Sequence, residues 1–109
     1  MRKHEEMTVR DFIKIEEDID VYDDVCEELG IAFCGPMILT DLGKEKFKDV
    51  LDFKITIYRD PYCGDSAVIH IDSEDEKIWK KNLKKAIEFF HSLAGYCSEE
   101  DYEKWFIEG

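Results

Sequence analysis

Two hydrophobic periods alternate along this chain. The longest helical one runs from Ser73 to Gly95. At about 100° per residue, Trp79, Leu83, Ala86, Ile87, Phe90, Leu93 and Ala94 share one arc, with Ile78 and Phe89 at its margin. Lys77, Lys80, Lys81, Lys84, Lys85, Glu88 and Ser92 take the opposite arc. Ser73 with Glu76 three residues on has capping-box spacing, and Gly95 stands where a left-handed C-cap belongs. Covering each of Trp79, Leu83, Ile87 and Phe90 is worth roughly 1.5–3 kcal/mol, so this helix needs a partner layer.

The rest of the chain supplies that layer in segments of period two. In Asp18–Val25, Ile19, Val21 and Val25 alternate with Asp18, Asp20, Tyr22 and Asp24, which predicts a half-buried strand with an acidic outer face. Ile31–Leu39 is apolar enough for a buried strand, but Gly35-Pro36 interrupts it and predicts a bulge or an edge. Phe53–Asp60 and Ser66–Asp72 read as a hairpin around Asp60-Pro61 and Gly64-Asp65. Its inner positions are Phe53, Ile55, Ile57, Ala67, Ile69 and Ile71; Lys54, Thr56, Tyr58, Val68 and His70 point outward. Thr8, Thr40 and Ser98 are N-caps of three further helices. Val9, Phe12 and Ile13 form the apolar side of the first, and Tyr102, Trp105 and Phe106 that of the last. Gly43 weakens the first turn of the middle one.

The element order is therefore α-β-β-α-β-β-α-α. It predicts a two-layer α+β domain, 8–109, with a four-stranded, mainly antiparallel sheet under the long amphipathic helix and a flexible stretch at 1–7. Ile19-x-Val21-Tyr22-x-Asp24 echoes Ile55-x-Ile57-Tyr58-x-Asp60 at a spacing of 36 residues. That is either a duplicated ββα unit or ordinary β-propensity.

Composition adds charge to this picture. With 109 residues, 44 % apolar and 13 % aromatic, the chain can bury a core of its own. Its net charge is −12. Residues 1–30 hold 11 acids and 4 bases, while 78–97 hold 4 bases and 1 acid. An acidic body with one basic helix face argues against direct nucleic-acid binding, which needs Lys and Arg at phosphates. It favours a basic protein surface as partner. No apolar run approaches a membrane span and the N-terminus lacks a signal-peptide core, so a cytoplasmic, reduced protein is expected.

The candidate chemistry is sparse. Cys26 and Cys34 are separated by seven residues, with no Cys-x-x-Cys, so the four cysteines and three histidines make no zinc knuckle. Cys63, in a Pro-Tyr-Cys-Gly-Asp turn, is the cysteine most exposed to reaction, and His70 is its one candidate activator. Asp18, Asp20, Asp23 and Asp24 cluster, but an EF-hand would need further ligands and a Gly at the sixth position, where Asp23 stands. No metal or other cofactor is expected. Gly43-Lys44 lacks the spacing and the Ser or Thr of a phosphate loop. The Lys80, Lys81, Lys84 and Lys85 patch is either an anion site or a solvated helix face.

The most suggestive surface is the outer sheet face, where Tyr22, Tyr58 and His70 stand among Asp18, Asp20, Asp24 and Thr56. Aromatic rings are enriched where surfaces are meant to be covered. Either an Arg- and Lys-rich partner or the last helix of this chain, through Trp105, covers it. With the acidic start of that helix (Glu99, Glu100, Asp101), Asp18, Asp20, Asp23 and Asp24 would draw a basic partner in.

Thr8-Val9-Arg10-Asp11-Phe12-Ile13 running into Asp18-Ile19-Asp20-Val21-Tyr22-Asp23 resembles the opening of small acidic proteins of bacteria and their phages and conjugative elements. The resemblance implies a bacterial, cytoplasmic, mobile-element setting. The expectation is a non-catalytic acidic binding domain, an inhibitor or accessory factor of the nucleic-acid-mimic kind. A small metal- or cysteine-dependent enzyme and a homo-oligomeric structural protein are the alternatives.

Overall fold

The structure, a computed structural model, describes residues 3–16, 18–22, 28–59 and 64–108, with backbone alone at 3, 18, 28–32, 34 and 108. Twelve elements follow in order: β1 (Lys3–Thr8), α1 (Val9–Phe12), β2 (Asp18–Tyr22), β3 (Glu28–Cys34), β4 (Met37–Leu39), α2 (Asp41–Lys46), α3 (Lys48–Leu51), β5 (Lys54–Arg59), β6 (Ser66–His70), α4 (Glu76–Leu93), α5 (Glu99–Trp105) and β7 (Phe106–Glu108). The fold is α+β, with principal extents of 42 × 35 × 21 Å. The short axis fits one sheet beneath one layer of helices.

The main sheet has the order β1-β5-β6-β2-β3. Both expected hairpins form: β5 pairs antiparallel with β6, and β2 with β3. They meet through a parallel pairing of β2 with β6. The sheet is one strand wider than expected, because residues 3–8 pair antiparallel with β5. The expectation of a flexible stretch is thus corrected for 3–7, while residues 1 and 2 lie outside the described residues. His4, Glu5 and Glu6 are exposed, so only Met7 tucks toward the core, and an edge strand needs little more.

The echo between the hairpins is not a duplication. Ile19 and Val21 face the same core as Ile55 and Ile57, since Val21, Ala67 and Ile57 are cross-strand neighbours. With that face held inward, β2 and β5 run in opposite directions, yet each hairpin's second strand lies on the same side of its first. The hairpins are therefore of opposite hand, and no rotation superposes them. Shared β-propensity accounts for the echo.

The helices α1, α3 and α4 cover one face of this sheet. Phe12 bridges sheet and helix, its ring 4.8 Å from Phe33 and 6.1 Å from Phe90. Phe89 and Phe90 are both fully buried. Phe89 was expected at the margin of the helix arc. It is buried because α4 has a second neighbour: Phe47 stacks edge-on at 4.9 Å, and Phe106 lies at 6.2 Å. The same widening of the arc buries Ser92, while Trp79, Leu83 and Ile87 are half-buried.

Helix α4 begins at Asp75, not Ser73. The Asp75 carboxylate accepts from the backbone N–H groups of Lys77 and Ile78, and the Ser73 hydroxyl accepts from Asp75 N–H. Asp is as good a cap as Ser and adds charge at the positive helix end. The helix ends as expected at Gly95 (φ 94°): Gly95 N–H donates to Ser92 C=O and Tyr96 N–H to His91 C=O, a Schellman motif.

Gly35-Pro36 ends β3 instead of bulging it, and the peptide there is cis. The chain then leaves the main sheet, and β4 pairs antiparallel with β7 in a separate ribbon. Gly43 is explained by what it touches. A Cβ there would lie 2.3 Å from the Trp105 carbonyl oxygen, because α2 and α5 approach backbone to backbone. Thr40 fastens the same contact: its N–H donates to Trp105 C=O at 3.0 Å and its hydroxyl to Lys104 C=O.

Candidate functional site

Cross-strand partners share a face, and residues one step along a strand take opposite faces. The register therefore sorts the sheet into rows. Met7, Ile55 and Ile69 form one row of the helix-covered face; Ile57, Ala67 and Val21 form the next. The other face carries three rows: Thr8, Lys54 and His70; Glu6, Thr56, Val68 and Tyr22; and His4, Tyr58, Ser66 and Asp20.

No described helix lies across those rows. His4, Glu6, Lys54 and Asp20 are exposed, and Tyr22, Tyr58, Ser66 and His70 are half-buried. Only the centre is closed, with Thr56 3 % and Val68 9 % exposed beneath their neighbours. The Thr56 hydroxyl satisfies itself on His70 Nε2 at 2.7 Å, so the pair holds a buried polar group rather than displaying a nucleophile. The His4 and Tyr58 rings sit 6.3 Å apart at an edge of the patch.

Of the residues expected to bind, the structure thus brings Asp20, Tyr22, Tyr58 and His70 onto one open face. Asp18 lies on the same strand, opposite Cys34 in the register. Asp23 and Asp24 lie outside the described residues, as do Cys26 and Cys63. Glu99, Glu100 and Asp101 do not join this patch. They form the first turn of α5, which packs on α2 in the helical layer. Their placement has a local cause: acids favour a helix N-terminus, where Ser98 caps Asp101 N–H, and Glu100 pairs with Lys104 at 3.5 Å.

The last helix does not cover the open face either. Trp105 stands edge-on to Phe47 at 5.3 Å, with the Lys46 ammonium 5.5 Å from its ring centroid. His4 and Glu6 are members of the face that the sequence reading missed, whereas Lys54 takes the outward position its alternation predicts. Their signal was the alternation of His4, Glu6 and Thr8 against Met7, too polar on both sides to read as a strand.

Two other features were open in the sequence. Of the α4 lysines, Lys85 reaches Asp49 of α3 at 3.0 Å and Lys80 pairs with Glu76 on its own helix, while Glu88 of α4 reaches Lys46 at 3.6 Å. The hydrogen bond from Lys85, and then its charge, hold the Asp49 carboxyl below its ordinary value. These four side chains line a cleft of about 190 Å³ whose charges are already matched. Cys97 is a free thiol that donates to Ser92 C=O at 3.6 Å. Burial, then the Asp101 charge, push its pKa up, which keeps it a poor nucleophile at neutral pH.

Among the described residues, no three His, Cys, Asp or Glu side chains cluster as a metal site, and no helix is long and apolar enough to cross a membrane. Comparison of the chain with protein-family models, curated proteins and solved structures finds no match.

Proposed function

We propose that this protein is a non-catalytic binding domain whose open sheet face receives a basic protein surface. The observation that carries the reading is the register: it sets Tyr22, Tyr58, His70 and Asp20 on one face that no described helix covers. Tyrosine offers large contact area at low entropic cost, which suits a surface that is to be covered. The net charge of −12 supports the choice of partner, since long-range attraction raises the encounter rate with cations. In its sharper form, the partner is the basic cleft of a nucleic-acid enzyme, and carboxylates take the place of phosphates. The resemblance to small acidic mobile-element proteins motivates that form. The acids of α5 lie in the other layer and act as long-range charge only.

The test compares wild type with a triple variant, Asp20→Asn, Tyr22→Ala and Tyr58→Ala, in capture of basic proteins at about 0.05 M salt. The expected partner is held by wild type, released by about 0.5 M salt, and missed by the variant. A partner bound equally by both proteins, or indifferent to salt, would falsify the reading. A control, Glu99→Gln with Glu100→Gln, is expected to keep its partner.

A further inference from the structure

A second surface lies in the β4–β7 ribbon, and its backbone is what distinguishes it. Ile38 and Ile107 stand directly opposite in the register, and the next pair but one, Thr40 and Trp105, is joined by the bond from Thr40 N–H to Trp105 C=O. Antiparallel pairs alternate between bonded and non-bonded. Ile38 and Ile107 are therefore a bonded pair, and Met37 and Leu39 turn their backbone groups away from β7. Met37 N–H confirms the direction, since it donates to Ile13 C=O at 2.8 Å. Leu39 N–H and Leu39 C=O face the same way. Among the described residues, no backbone group outside the strand ladders takes them up.

That open edge runs along a groove of about 220 Å³. Its floor is apolar, made by Ile13, Met37, Leu39 and Leu51, all 6 % exposed or less. Its rim is basic, with Arg10, Lys14 and Lys44, in a chain whose net charge is −12. Arg10 meets Asp52 at 3.2 Å and Lys14 meets Asp11 at 4.0 Å, both exposed pairs that exchange at little cost. Lys44 pairs with no acid among the described residues. Beside the groove, Ile38 and Ile107 are 53 % and 51 % exposed. A strand edge open at Leu39, an apolar floor and a cationic rim are together the requirements for adding an extended peptide across that residue.

We propose that this groove binds a short, extended, acidic segment of a partner protein, one residue of which exchanges both backbone bonds with Leu39. An apolar side chain of that segment enters the floor, and its carboxylates meet Lys44 and the rim. The surface is distinct from the open face of the main sheet, so either proposal can fail without the other.

The probe is a capped hexapeptide alternating Glu with Val and Leu, titrated into the ¹⁵N-labelled protein. In the free protein, the Leu39 amide is expected to exchange with solvent faster than that of Ile38. With peptide, amide shifts are expected at Ile13, Ile38, Leu39 and Lys44, and Leu39 exchange slows by about tenfold or more. The counterpart with Lys in place of Glu binds about tenfold more weakly, and so does the Glu peptide with the Lys44→Glu protein. N-methylation of the two central peptide amides abolishes the Leu39 protection. The proposal is overturned by any of three results. Leu39 is already protected in the free protein; the Lys or N-methylated peptide binds equally well; or the same amides shift with protein concentration alone, which would make a second copy the occupant.

Discussion

On β5, Ile55 and Ile57 are sealed from solvent while Lys54 is exposed and Tyr58 half-buried, although all four belong to one six-residue strand. The two faces of this sheet therefore differ in what their residues are held by. The covered face is held by helices: Phe12, Phe33, Phe89 and Phe90 interlock across the layers, and any loss leaves a void. The open face is held by its own neighbours alone, and only Thr56 and Val68 at its centre are closed off. Stability concentrates on one side, which leaves the other free to serve contact.

Substitutions should expose this asymmetry. The largest effect is expected from Phe90→Ala, about 3–5 kcal/mol by denaturant unfolding. Tyr58→Ala on the opposite face should cost about 1 kcal/mol or less, the worth of a cross-strand pair. Equal losses at the two positions would abolish the distinction. Gly43→Ala comes next. The added methyl forces the Trp105 carbonyl away, at a cost of about 1–3 kcal/mol, and it should loosen α5 before the main sheet in hydrogen exchange.

Thr56→Val tests the centre of the open face. It removes the bond to His70 but keeps the shape, so a loss of about 0.5–1.5 kcal/mol is expected. A change in the Tyr58 and His70 ring resonances should accompany it, with none at Phe89.

The smallest effect belongs to the helical layer's surface. The Lys85 hydrogen bond, and then its charge, hold the Asp49 carboxyl below its ordinary value, so the ion pair contributes in full above the ordinary carboxylate range. That contribution disappears as pH falls through the folded-state value. Lys85→Met should therefore differ from wild type near neutral pH and converge with it in acid. High salt should shrink the difference, because both groups lie at the surface.

Much of this was legible because local rules agree with the global fold. Ile19 with Val21, and Ile55 with Ile57, alternate cleanly; Thr8, Thr40 and Ser98 each accept a first-turn N–H as an N-cap should. The failures share a physical cause, partners far away in the chain. Lys3–Thr8 is a strand because β5, some fifty residues on, offers it an edge. Phe106-Ile107-Glu108 reads as the tail of a helix until β4 pairs with it. Phe89 looks marginal by angle because the angle ignores Phe47. The open face was legible for Tyr22, Tyr58 and His70, whose strands announce themselves, and illegible for His4 and Glu6, whose strand does not.

The parallel seam between β2 and β6 has a consequence for how the molecule comes to exist. Each hairpin can zip locally, but the seam joins Asp20 to Ser66 and the outer strand joins Lys3 to Arg59. Such closures are entropically costly and slow. During synthesis, the first hairpin must wait on the ribosome until β6 has emerged, and β4 waits until β7 has emerged. The nascent chain thus gains its cooperative fold only once β6 and β7 have been made, not progressively along its elements.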